Sequence, residues 1–154
     1  MMKKMLLVIL LIAAPTIQTF AADGWEAKIK VSVLTAENKI SFGQKTDATN
    51  GIDGLYDVPA MLSGDIRAYF LLDSGGYWRD IRPLGTAAWT IMVESELIGK
   101  TIKITWRPEE LEALPAGSVL LMDDTAKKAL DMKKTGLYTF INDGKRQLRI
   151  VFGQ

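Results

Sequence analysis

The chain contains no cysteine and no histidine among its 154 residues. Without cysteine no disulfide can staple the fold, so stability has to come from apolar packing, which a hydrophobic content of 48% permits. Without either residue, Ser-His and Cys-His nucleophilic sites, imidazole acid–base catalysis and the usual zinc, copper and iron ligand sets are excluded. Phosphate loops and dinucleotide fingerprints are missing too; Gly75-Gly76 alone cradles no phosphate. Charge of one sign is also scarce, with 19 Lys and Arg against 18 Asp and Glu and the signs interspersed. That balance argues against electrostatic capture of nucleic acid or an anionic membrane, which needs a basic surface. The remaining catalytic option is a pair of carboxylates. Glu94, Glu96, Glu109, Glu110 and Glu112 are present, but their spacing nominates no pair. The chain therefore reads as non-enzymatic, with a small carboxylate-based hydrolase of extracellular polymers as the alternative.

What is present starts at the N-terminus. Lys3 and Lys4 precede an uncharged run from Met5 to Ala14, which Pro15 interrupts, and small residues follow at Thr19, Ala21 and Ala22. This is the layout of a secretory signal peptide, and cleavage after Ala21 places Thr19 and Ala21 at the two positions that need small side chains. Ten apolar residues fall short of the roughly 20 that span a bilayer. The expectation is a leader over 1–21, one domain over 22–154 without a transmembrane segment, and a secreted or periplasmic location.

Beyond Glu26 the hydrophobic period is two. Ile29, Val31 and Val33 alternate with Lys28, Lys30 and Ser32, and the pattern returns at Ile40 and Phe42. It recurs at Trp89, Ile91 and Val93, at Ile102, Ile104 and Trp106, and at Leu148, Ile150 and Phe152. Such alternation predicts strands with one buried and one wet face. Ala36-Glu37-Asn38 is expected to link the first two strands, and Asn142-Asp143-Gly144 is the strongest hairpin signal. Pro108 followed by Glu109 and Glu110 opens a short helix. Residues 124–136 carry two readings: a short helix from Asp124 to Gly136, or a hairpin turning near Lys127-Lys128. Many short strands separated by turns predict an all-β sandwich or barrel.

A series of short motifs runs through the same segments. Phe42-Gly43-Gln44 leads into Thr46 to Asp53 and Tyr56-Asp57-Val58-Pro59-Ala60. Tyr69-Phe70, Asp80-Ile81-Arg82, Trp89, Ile104-Thr105-Trp106 and Leu114-Pro115 follow, then Leu121-Met122-Asp123, Asp131-Met132 and Tyr138-Thr139-Phe140. In this order, over about residues 38–152, they resemble an immunoglobulin-like β-sandwich module of large secreted bacterial surface proteins, found ahead of sorting or immunoglobulin-like domains. The resemblance implies a sandwich of about seven to nine strands with one or two helical turns, an envelope location, the hairpin reading of 124–134, and no activity. The sequence ends at Gln154, just after the last predicted strand, so the expectation is a module that acts alone or docks to a protein or glycan partner at the cell envelope.

Two places stand out as ligand sites. Asp47, Asn50, Asp53 and Asp57 offer hard oxygens, with Gly51 and Gly54 permitting a tight wrap, and make this loop a candidate for calcium. The spacing departs from an EF-hand, and the plainer reading is an ordered turn whose Asp and Asn side chains cap backbone N–H groups. No other cofactor is implied. Tyr77, Trp78 and Arg79 form a candidate sugar-stacking or peptide-gripping patch, against the plainer reading that they begin a strand. Asp80 and Arg82, two apart on that strand, are expected to form a structural ion pair.

Overall fold

Alternating sequences become strands because successive side chains leave a strand on opposite faces. The computed structural model describes residues 23–73, 75–85, 87–112, 114 and 117–153, and the predicted leader lies outside them. The strands are β1 (Gly24–Val33), β2 (Ala36–Lys45), β3 (Val58–Pro59), β4 (Arg67–Leu72), β5 (Gly75–Pro83) and β6 (Ala87–Glu94). β7 (Thr101–Trp106), the short helix α1 (Glu109–Glu112), β8 (Ser118–Asp123), β9 (Lys128–Asp131), β10 (Leu137–Ile141) and β11 (Lys145–Gly153) complete the order. The all-β class is as expected. The eleven strands exceed the seven to nine anticipated, partly because β3 has only two residues.

All strands belong to one mixed sheet in the order β10-β7-β1-β2-β5-β4-β6-β11-β8-β9, with β3 added to β5. β5 is where the two halves join. Its first part pairs antiparallel with β4, through Phe70 and Tyr77, and its later part runs parallel to β2 from Ser41 and Arg79 onward. Tyr77 also pairs with Pro59, and Arg79 with Val58, so β3 lies along the opposite edge of β5.

The sheet curls so that its halves face one another across an apolar interior. Trp25 of β1 touches Phe42 of β2, Trp89 of β6 and Phe152 of β11, with ring centroids 5.4, 5.9 and 5.8 Å away. Every apolar residue singled out by the period of two between Ile29 and Phe152 is buried here. Gly43 is required at its place: a Cβ there would lie 2.0 Å from the Trp25 carbonyl oxygen.

Two local expectations change and one open alternative is decided. β1 and β2 are joined by Leu34-Thr35, with Leu34 at φ 50°, and Ala36, Glu37 and Asn38 already belong to β2. The register Val33↔Ala36 leaves only two residues to reverse the chain, and such a turn takes a left-handed residue even when it is leucine. Asn142-Asp143-Gly144 is a corner, not a hairpin: β10 pairs with β7, whereas β11 pairs with β6 and β8. Asn142 is buried and donates from Nδ2 to the Ser95 carbonyl, while its Oδ1 accepts the Gly144 N–H. The side chain thus stitches the corner to the loop after β6. Between 118 and 131 the hairpin holds and the helix reading fails. Asp123 pairs with Lys128, and the Asp123 carboxylate caps the turn by accepting the Ala126 N–H. The expected short helix after Pro108 is present, closed by the Leu111 and Glu112 N–H groups on the Pro108 carbonyl.

Candidate functional site

The chain between β2 and β4 makes a long excursion, and its backbone is pinned at several points. The Asp57 carboxylate, nearly buried, accepts the Asp53 N–H at 2.6 Å and the Ile81 N–H at 3.1 Å. The Asp53 Oδ1 accepts the Leu55 N–H, and the Tyr56 hydroxyl donates to Asp47 Oδ1 at 2.5 Å. Ala60 N–H donates to the Gly76 carbonyl at 2.9 Å. These bonds are those of a turn capped by its own acids.

The four calcium candidates have different surroundings. The Asp57 carboxylate meets the Asp53 N–H, the Asp47 carboxylate accepts from Tyr56, and Asn50 is exposed. Among the described residues no group of three or more acidic side chains is placed to hold a metal ion.

Tyr77, Trp78 and Arg79 do not share a face. Trp78 packs against the core cluster from the inner side, whereas Arg79 lies on the outer side of the sheet. There the guanidinium grips Glu26 bidentately, Nε to Oε1 at 3.1 Å and Nη2 to Oε2 at 2.7 Å, and Nη1 donates to the Tyr56 carbonyl at 3.2 Å. Burial pushes the Glu26 carboxyl up, but hydrogen bonds from Arg79 and Ser41 and the nearby cations hold it below its ordinary value. Arg79 is thus a strut that ties β5 and β1 to the excursion. A hollow of about 340 Å³ is lined by residues of β1, β2, β3 and β5, among them Lys28, Lys39, Ser41, Val58, Trp78 and Arg79. Asp80 and Arg82 form the expected pair, Oδ2 to Nη2 at 3.0 Å; burial nevertheless raises the Asp80 carboxyl, against the lowering effect of Arg82.

The side chains that the pinned excursion turns outward are apolar. Of the eleven large apolar side chains left exposed among the described residues, five are Ile52, Leu55, Val58, Met61 and Leu62. Leu55 and Met61 are each 72% exposed. Scattered exposed leucines need no explanation, but this concentration on an ordered segment does. Sequence periodicity passed over it, because Asp and Gly between these residues break both the strand and the helix patterns; apolar density inside an Asp/Gly-rich loop was the available signal.

Four of the five named glutamates meet cations. Glu94 receives Tyr69, Lys145 and Arg67, Glu96 meets Arg67 at 3.9 Å, and Glu109 and Glu110 both meet Arg107. A buried cluster sits elsewhere: Asp123 Oδ2 accepts the Tyr138 hydroxyl at 2.6 Å and Arg146 Nη1 at 2.9 Å. The Tyr69 and Tyr138 hydroxyls both donate to carboxylates. Burial first, then Glu94 for one and Asp123 for the other, push both phenols up to about 12. An ultraviolet titration is therefore expected to show Tyr69 and Tyr138 ionising well above the ordinary value of about 10. The folded state holds those protons longer than the unfolded chain, so their stabilisation is complete below about pH 10 and is lost as pH rises through about 12.

Comparison of the chain with protein-family models, curated proteins and solved structures yields no match. The fold and site define a class only: an all-β domain that presents an ordered apolar loop beside a bridging strand.

Proposed function

We propose that this is an exported, non-catalytic binding module whose partner at the cell envelope is a protein. One observation carries the reading: five aliphatic or thioether side chains project from an excursion whose backbone is fixed by Asp57, Tyr56 and Ala60. A loop ordered before contact loses little entropy on binding, so its apolar surface converts efficiently into affinity. Aliphatic groups fit an apolar pocket on another protein better than a sugar, which asks for exposed aromatic faces with polar neighbours. Export rests on the leader over 1–21. Assignment to the immunoglobulin-like sandwich class rests on the motif order and on the two half-sheets facing each other around Trp25 and Trp89.

Leu55→Asp and Met61→Asp test the reading against Leu34→Asp, a change at a side chain 69% exposed in the turn between β1 and β2. All three variants are expected to melt within about 0.5 kcal/mol of the parent, as surface changes do. Affinity for the partner retained from envelope extract is expected to fall at least about tenfold for the first two and to stay unchanged for the third. Equal binding by all three would remove the excursion from the interface.

A further inference from the structure

The sheet has two ends, and they are not alike. β9 carries Lys128 and Asp131 on its four residues, and the two-residue β3 contains Pro59, both common protections against stray strand pairing. β10, at the other end of the order, has neither: Leu137-Tyr138-Thr139-Phe140-Ile141 has no charge and no proline, and among the described residues it pairs with β7 alone.

The free edge of β10 can be read from its partner. The Trp106 N–H donates to the Gly136 carbonyl and the Asn142 N–H to the Lys100 carbonyl, so the even-numbered residues form the hydrogen-bonded pairs with β7. In an antiparallel ladder the intervening residues then aim their groups the other way. Leu137, Thr139 and Ile141 therefore present N–H and C=O along the open edge. Their side chains also share the outer face, with Leu137 52% and Ile141 59% exposed.

That edge is complementary to itself. An antiparallel copy centred on Thr139 puts Thr139 opposite Thr139 of the second chain, and Leu137 opposite its Ile141, all as hydrogen-bonded pairs. Each pair exchanges two backbone bonds, and the two exposed apolar residues of each chain meet those of the other on one face. We infer that β10 joins a second copy of this chain, forming a two-fold symmetric dimer with one continuous sheet across the junction.

Sedimentation velocity and amide hydrogen exchange on the native protein test this together. The mass is expected to double with rising concentration, while the Leu137, Thr139 and Ile141 amides gain protection and those of Tyr138 and Phe140 stay as protected as before. Leu137→Lys combined with Ile141→Lys sets like charges opposite one another at each junction and is expected to give monomer. Leu137→Lys with Ile141→Glu sets opposite charges there and is expected to keep the dimer. A monomer at every concentration, a dimer unaffected by the paired lysines, or association without protection at the three odd-numbered amides would each overturn the assignment. The exchange pattern of the unaltered protein decides the matter even where a double variant fails to fold.

Discussion

Replacing Trp89 with alanine is expected to destabilise the domain by about 3–5 kcal/mol, because the ring is large, fully buried and central to the contact between the two half-sheets. From β6 it lies 5.1 Å from the Phe42 ring of β2, and its Nε1 donates to the Asp80 carbonyl of β5 at 3.1 Å. Truncation removes the apolar contact and also leaves that carbonyl without its donor in the interior. The melting temperature is expected to drop by more than about 10 °C, given the enthalpy of a domain this size. Trp89→Phe keeps most of the volume but not the hydrogen bond, and should cost only about 1–2 kcal/mol. If alanine and phenylalanine proved equally mild in calorimetry, the facing of the half-sheets around this ring would be wrong.

Asp123→Ala is the second large effect. The carboxylate is fully buried and joins β8 to Tyr138 of β10 and Arg146 of β11, tying one end of the sheet order to strands near the other. Arg146 is almost as buried and lies over the Phe140 ring at 4.8 Å. Removing its inner partner strands a buried charge, a change that costs about 3–5 kcal/mol. The lower end applies here, because Asp143 still accepts from Arg146 Nη2 at 2.8 Å. Asp123→Leu with Arg146→Met is expected to recover most of the loss, since no charge is then left alone in the interior. Failure of that rescue in chemical denaturation would show that Asp123 acts mainly through its cap on Ala126.

The same carboxylate gives the protein an acid limit. Burial pushes the Asp123 carboxyl up, but Tyr138, the Ala126 N–H and the Arg146 charge outweigh it and hold the group below its ordinary value. A lowered folded value means that the unfolded chain takes up the proton first as pH falls. The contribution is present above about pH 4, the unfolded value, and disappears as pH drops through the folded one. Melting temperatures from about pH 6 down to about pH 2 should thus fall less steeply for Asp123→Asn than for the parent.

How much of this was legible beforehand depended on the range of the interaction. The faces of β1, β6, β7 and β11 could be read directly, because a period of two needs only nearest neighbours along the chain. The Asp80–Arg82 pair was legible for the same reason. The Leu34-Thr35 turn was not, since leucine carries no turn signal and the left-handed residue is imposed by the register of two strands. Asn142-Asp143-Gly144 misled for the converse reason. Its composition suits a tight reversal, yet β10 and β11 each find longer-range partners, and the asparagine serves Ser95 instead. Asp53 and Asp57 cap backbone N–H groups, as their plainer reading had it, whereas Asp47 accepts the Tyr56 hydroxyl instead; the Ile81 N–H that Asp57 meets depended on β5 arriving beside it.

From its residues alone, this chain was bound to be a β-protein with a disulfide-free apolar interior and no imidazole or thiol chemistry, because alternation and composition are properties of the linear polymer. Folding in three dimensions decided the strand order, the curl that brings Trp25 onto Trp89, the outward turn of Leu55 and Met61, and the unguarded edge of β10. Alternation dictates which way a side chain points, but not which strand lies alongside. That choice is made by contacts between residues far apart in the chain, here across the bridge that β5 makes between β2 and β4.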